Sequence, residues 1–450
     1  MRDPTTYVPP PPGEAPMVDF DGWGETDDGL PITDFWASRP ELAHLRVFAR
    51  SRRAAPWAVL GAALTRVVTA VEPFVVLPPL IGGDASLNVF LGLVGPSGSG
   101  KGAAESAARD AVKFDRDLVE AGVGSGEGLA HVFLRHVPGK GKSDKGTTEQ
   151  HTTRALLRAA EVDTLGALRG RQGSTLMPKL RDAWLGDSLG FAYADVTRRL
   201  DLRAHTYRMC LIVGIQPARA AVLLGDVDAG TPQRFLWLPT RDPNVPDTPP
   251  ATPERWAWTH PNLGRLDPWA SRFRIPVCDA AVEAIDGAAV ARHQGDVDAL
   301  DGHALMCRLK TAAALGLLNG HAEVCYDDWD LSGVVMAVSD STRAAVAASL
   351  AASSRQANVA AGRAEGERAV VADEVRVEAA AKRVGRVLIG KLDTDWTASS
   401  ALRKRLTSRD RGHFDAAISG LVRDGFLEVR DVEYQGQRGV EYRLVTRSPL

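Results

Sequence analysis

The chain has 450 residues, 44% of them apolar and 24% charged, with a formal net charge of −2. That length allows two or three domains with ordinary cores, and the near-neutral balance excludes a uniformly basic nucleic-acid coat. Four scattered cysteines, Cys210, Cys278, Cys307 and Cys325, form no CxxC pair, which argues against a disulfide framework and a zinc site. The first residues lack the basic-then-apolar order of a signal peptide. The apolar run from Ala54 to Ile81 is interrupted by Arg66, Glu72 and prolines, so no membrane span is expected and the expected location is cytoplasmic.

Residues 1–40 are rich in Pro, Gly and Asp, with Pro9 to Pro12 in a row, and read as a disordered tail. From Glu41 to Val71, Leu42, Leu45, Phe48, Trp57, Leu60, Leu64 and Val68 recur at near-helical spacing with a break at Pro56. These helices lead into the most informative stretch of the chain. Val89 to Val94 read as a buried strand, Gly95-Pro96-Ser97-Gly98-Ser99-Gly100-Lys101-Gly102 follow, and the small-residue run from Ala103 reads as a helix. Strand, glycine loop and helix in that order predict a phosphate-binding loop (P-loop). Glycines let backbone N–H groups face a polyphosphate, the helix start adds positive potential, and Lys101 would reach the β- and γ-phosphates. Gly102 stands where Ser or Thr ordinarily offers a hydroxyl to Mg²⁺. Ser97, Ser99, Ser106 or water must then serve, or metal binding is weak and the loop binds nucleotide without hydrolysing it.

The chain then alternates strands and helices. Gly124-Ser-Gly-Glu-Gly128 precedes a helix from about Leu129, and Lys140, Lys142 and Lys145 sit in a Gly-rich exposed segment. An apolar run from Ala155 ends at Glu161 and Asp163. Tyr207 to Gln216 and Phe235 to Pro239 are further buried-strand patterns. This alternation predicts an α/β core, a parallel sheet with helices on both faces. Strand ends in such a sheet hold catalytic groups. Glu161 is therefore the candidate water-polarising carboxylate, with Asp163 as the alternative or as a magnesium ligand beside Ser99. The plainer reading makes both acids helix caps. Gln216 is the candidate γ-phosphate sensor, or a turn residue. Arg234, just before a strand, could reach a neighbouring subunit's nucleotide, or form a surface salt bridge. Arg308 and Lys310 could contact phosphate from a helical lid, or face solvent. Arg171 lies in a stretch of alternating cations and hydroxyl residues suited to a phosphate backbone, as does the Lys140–Lys145 segment.

Pro-rich sequence from Asp242 to Pro253 marks a domain crossing. Residues 275–365 read as helical, and 351–372 as a long polar helix or linker. From Arg376 onward there are fifteen Lys/Arg against ten Asp/Glu, a net of +5 that leaves −7 for the remainder. Three helices, the third carrying Phe414, Ile418, Leu421 and Val422, then two alternating strands around Gln435 to Gly439, predict a winged helix. Arg409 and Arg411 would lead its third helix toward a major groove, and Arg438 on the wing would meet a DNA backbone. A protein-binding winged helix is the other reading.

The order of these pieces resembles the primase-helicase ATPases of phages, prophages and integrative elements and, more distantly, the minichromosome maintenance helicases. The pieces are Gly95–Lys101, Glu127, Glu161-Val-Asp163, the segment through Trp184, Gly214-Ile-Gln216-Pro217, Gln233-Arg234-Phe235 and the helix through Arg308 followed by Val324 to Trp329. The resemblance spans about residues 50–445. It implies a homo-oligomeric ring, usually a hexamer, with ATP and Mg²⁺ between subunits. Lys101 would hold phosphate, Glu161 would be the catalytic carboxylate, Gln216 the sensor, and Arg234 would act in trans. Gly102 and Ala160 depart from the common pattern at the magnesium site. The expected organisation is a tail over 1–40, a P-loop ATPase core over 41–250 with its helical lead-in, a helical lid and linker over 251–372, and a winged helix over 373–450. The expected activity is ATP-dependent DNA unwinding or translocation in replication of a mobile element, with single-stranded DNA in the channel and duplex on the winged helix. A separate primase or loader would assist. The alternative is an ATP-switched DNA-binding initiator or regulator that does not unwind.

Overall fold

The computed structural model describes residues 32–137, 147–170, 172–191, 200–261, 263, 272–295, 301–434 and 436–445. Lys140, Lys142, Lys145 and Arg171 lie outside these residues. The chain forms two compact units that divide after Ser353.

In the first unit the lead-in helices are α1 (Pro40–Ser51) and α2 (Pro56–Ala70), each with proline in its first turn. Proline fits there because that turn has no N–H partner to lose. Every residue of α2 is buried. It lies so close to the sheet that a Cβ on Gly61 would sit 2.5 Å from Leu238 Cδ1. The tail expected through residue 40 is corrected at its end, because Ile32–Ala37 is helical. Phe35 and Trp36 are buried, with ring centroids 5.0 and 4.8 Å from Trp57. Two buried aromatic side chains supply the apolar surface that holds this short helix in place.

The central sheet has five parallel strands: β1 (Phe90–Val94), β2 (Glu120–Gly122), β3 (Arg154–Ala159), β4 (Arg208–Ile215) and β5 (Phe235–Pro239). Their spatial order is β5-β1-β4-β3-β2. The register pairs Val94 with Ile215 and with Pro239, and Ala159 with Val213. The ends of β1, β3, β4 and β5 therefore share one edge of the sheet. β1, β4 and β5 are buried throughout, as strands covered on both faces must be.

Between the strands lie α3 (Lys101–Ala111), α4 (Gly126–His131), α5 (Val162–Arg169) and α6 (Leu176–Leu185). The other edge of the sheet is closed by buried cations bonded to carbonyls. The fully buried Arg208 donates to Glu72 O (2.8 Å), Val75 O (2.7 Å) and Ser86 Oγ (2.6 Å). After the sheet come α7 (Asp279–His293), α8 (Asp301–Asn319) and the long helix α9 (Tyr326–Ile389). By length and composition α9 is apolar enough to cross a membrane. Its apolar first part, however, buries Leu331, Val334, Val335, Val338 and Val346 in the core of this unit. The linker boundary expected at residue 372 falls inside α9, which is helical without interruption.

The second unit has its own core of Val384, Leu388, Leu402, Leu406, Phe414, Ile418, Leu421 and Leu427. After the end of α9 come β6 (Thr397–Ala398), α10 (Ser399–Lys404), α11 (Phe414–Arg423), β7 (Leu427–Tyr434) and β8 (Gln437–Leu444). The sheet order is β6-β8-β7, with both pairings antiparallel. Gly425, at φ 73°, supplies the left-handed residue that ends α11.

Candidate functional site

The site is built where β1 gives way to α3. Gly95 N donates to Ile215 O at 3.0 Å, which ties the start of the glycine loop to the end of β4. Gly98 and Gly100 take φ of 77° and 84°, so both loop bends need a residue without a Cβ penalty. Gly100 caps α3, whose first residue is Lys101. Lys101 is 8% exposed, and its Nζ donates to Gly95 O (3.1 Å) and Pro96 O (2.9 Å), folding the cation over the loop. Burial lowers the Lys101 pKa, and the Glu161 charge pulls it back upward.

Glu161 follows β3 and caps α5. Gln216 follows β4, and its Nε2 donates to Glu161 Oε2 at 2.9 Å. The two strand ends are pressed together at Gly214, where a Cβ would lie 2.0 Å from Ala160 O and 3.3 Å from Lys101 Cδ. Lys101, Glu161 and Gln216, far apart in sequence, thus meet at adjacent strand ends.

Thr240, directly after β5, is a site residue that the sequence reading missed. Its N and Oγ1 both donate to Val94 O (2.8 and 3.0 Å), and its Oγ1 is 2.7 Å from Ser99 Oγ. The sequence shows only a hydroxyl residue at the end of a predicted strand; that this strand lies beside the loop's own strand is a tertiary fact.

The expected magnesium ligands are missing or held by other groups. Gly102 has no donor, Ser99 is bonded to Thr240, and Asp163 is ion-paired with Arg219.

Arg308 is corrected from its expected place over the phosphates. Its guanidinium stacks 3.8 Å from the Trp329 ring centroid and donates to Trp329 O at 3.0 Å. Lys310, 1% exposed, donates to Asn88 O (3.1 Å) and Trp184 O. Asn88 precedes β1, so Lys310 sits at the edge of the sheet opposite the glycine loop. Helical periodicity does not show which face of α8 turns inward.

Arg234 lies at that same opposite edge, because Phe235 pairs with Phe90. The five residues of β1 separate it from the loop by roughly 16 Å. Arg234 is 7% exposed, donates to Ala229 O at 2.8 Å and lies 5.5 Å from the Trp184 ring centroid. Burial lowers its pKa to about 10. In this seat the guanidinium is out of reach of a phosphate at this chain's own glycine loop.

His321, Cys325 and Asp328 bring a nitrogen, a sulfur and a carboxylate oxygen within 4.8 Å of one another. Their geometry is that of a helix cap. Asp328 Oδ2 accepts from Cys325 N (2.9 Å) and pairs with His321 Nε2 (2.9 Å), while Oδ1 meets Arg39 at 2.8 Å.

In the second unit Arg409 is exposed, and Arg411 donates to Leu406 O at 3.3 Å. Arg438 on β8 stands opposite Glu433. Arg403 is paired with Asp415 (2.7 Å) and Arg383 with Asp410 (2.5 Å). Among the described residues no carboxylate lies within ion-pair distance of Arg409, Arg411 or Arg438.

The chain matches no protein-family model and no curated protein.

Proposed function

We propose that this chain binds and hydrolyses ATP at the Gly95–Gly102 loop and uses the cycle to move along or unwind DNA in the replication of a mobile element. The observation that carries this reading is the convergence of Lys101, Glu161 and Gln216 at three neighbouring strand ends. Ligands of parallel α/β sheets bind beyond the carboxyl ends of the strands. Here a phosphate-sized anion would displace Lys101 Nζ from two carbonyl oxygens and gain a cation together with loop N–H groups. Glu161 accepts a hydrogen bond from Gln216 at the same edge, which suits it to orient a water. Gln216 is bonded to that carboxylate, so a change at the γ-phosphate position would alter what Glu161 does.

The second unit supports the DNA part of the proposal. Its helix–strand–helix–helix–strand–strand order agrees with a winged helix, and Arg409, Arg411 and Arg438, with no carboxylate at ion-pair distance among the described residues, would offer charge to a phosphate backbone. A ring of several copies, with Arg234 acting in trans, belongs to the same proposal.

The second reading, an ATP-switched initiator that does not unwind, draws on two features. Glu161 is already engaged by Gln216, and Gly102 offers no metal ligand.

Steady-state ATP turnover, measured with and without single-stranded DNA, tests the proposal. Wild-type turnover is expected to rise with DNA. Lys101→Ala should lower it by about 10²-fold or more, the scale for loss of one preorganised charge-stabilising group. Turnover that ignores DNA would leave the switch; turnover that ignores Lys101→Ala would remove both readings.

A further inference from the structure

We infer that the glycine-loop site holds its nucleotide without any side chain on the divalent cation, so that nucleotide affinity is independent of magnesium. This rests on the reading of Gly95–Gly102 as a nucleotide seat and adds a property which that reading does not require.

At the positions expected to offer a metal ligand, the donor atom is missing or its side chain is held by another group. At Gly102, immediately after Lys101, there is no donor atom, and a Cβ built there meets nothing within 4 Å. Space for a hydroxyl is present, and the hydroxyl is not.

Ser99 is turned elsewhere. Thr240 Oγ1 commits its single proton to Val94 O at 3.0 Å, so in the 2.7 Å contact Ser99 is the donor; it keeps its lone pairs, but the bond holds its Oγ on Thr240. The pair is packed over Gly95, where a Cβ would lie 2.0 Å from Thr240 Oγ1 and 2.3 Å from Ser99 Oγ. Ser99 thereby latches the loop to the end of β5.

Asp163 gives its carboxylate to Arg219, and Glu161 accepts the Gln216 amide while facing the Lys101 charge. Ser97 is exposed on the loop, and Ser106 lies on α3 four residues beyond Gly102, about 6 Å along the axis. What remains for the phosphates is Lys101 and the backbone N–H groups at the start of α3. Those groups neutralise a polyphosphate without a metal.

The test is equilibrium binding of fluorescent ATP and ADP to the full chain, in magnesium and in EDTA, with the Gly102→Thr and Gly102→Ala variants alongside. Wild type and Gly102→Ala should show affinities within about twofold in the two conditions. Gly102→Thr, which restores the hydroxyl in open space, should bind about tenfold more tightly with magnesium than without it. Gly102→Ala controls for the loss of glycine's backbone freedom. A wild-type affinity that falls about tenfold in EDTA would overturn the inference. So would a Gly102→Thr protein with no metal preference, since that hydroxyl would then not face the cation. If neither condition gives binding, or if Lys101→Ala binds as well as wild type, the nucleotide seat itself is wrong, an outcome distinct from the other two.

Discussion

The Gln216 amide donates to the Glu161 carboxylate across 2.9 Å, linking residues 55 positions apart at the ends of neighbouring strands. An acid held in this way has one oxygen directed by its neighbour, so its orientation depends on the amide. Gln216→Ala is expected to leave nucleotide affinity within about threefold of wild type and to lower turnover at least tenfold. Glu161→Gln should do the same with a larger fall. Binding and turnover measured on the same preparations separate the two effects, and a Gln216→Ala protein with wild-type turnover would remove its role.

Gly214 is where the fold and the site share one constraint. A Cβ there would overlap the Ala160 carbonyl at 2.0 Å, and backbone cannot swing aside as a side chain can. Gly214→Ala should push β3 and β4 apart, cost about 2–3 kcal/mol of stability as overpacking does, and weaken nucleotide binding through Lys101 and Glu161 together. Chemical denaturation and nucleotide titration check the two halves. A variant as stable as wild type would mean the strand ends yield more easily than the geometry implies.

The cations of the second unit differ in what they are free to do. Arg403 and Arg383 are engaged by Asp415 and Asp410, while Arg409, Arg411 and Arg438 have no carboxylate at ion-pair distance among the described residues. Replacing the latter three with alanine should weaken duplex binding and reduce the slope of log affinity against log salt by roughly 2 to 3. An unchanged slope would move DNA contact elsewhere on the chain.

His205 and His303, both in the first unit, have pKa values lowered from 6.5 to about 4, first by burial and then by neighbouring arginines. Arg272 is the largest such influence on His205 and Arg234 on His303. A depressed histidine binds protons in the unfolded chain before it can in the folded one. Stability is therefore expected to be full above about pH 6.5 and to decline as pH falls toward 4. The thermal midpoint of the first unit should drop across that window. The drop should be smaller in a His205→Asn, His303→Gln double variant, in which Asn suits the left-handed φ of 57° at position 205. Equal drops in the two proteins would assign the acid sensitivity to other groups.

The local signals along the chain were strong where chemistry and covalent geometry act over short range. The strand, glycine loop and helix from Phe90 to Ala111 could be read directly, because apolar residues, glycines and small helix formers follow one another there. Phe235–Pro239, the strand before Gln216, and the helices and hairpin after Val375 were legible for the same reason: apolar runs, alternation and helical spacing are local properties. Phe35 and Trp36 were hidden because their ordering depends on Trp57, twenty-one residues later.

The sequence alone determined most of the strands and helices and which residues carry transferable chemistry, because backbone preference and side-chain type act residue by residue; Ile32–Ala37 and Glu120–Gly122 escaped it. Only the tertiary structure decided which of those residues meet. The strand order β5-β1-β4-β3-β2 sets Glu161 and Gln216 beside Lys101, sends Arg234 and Lys310 to the opposite edge, and turns Ser99 onto Thr240. Pairing between distant strands is a long-range outcome of burying both faces of the sheet, and no local spacing encodes it.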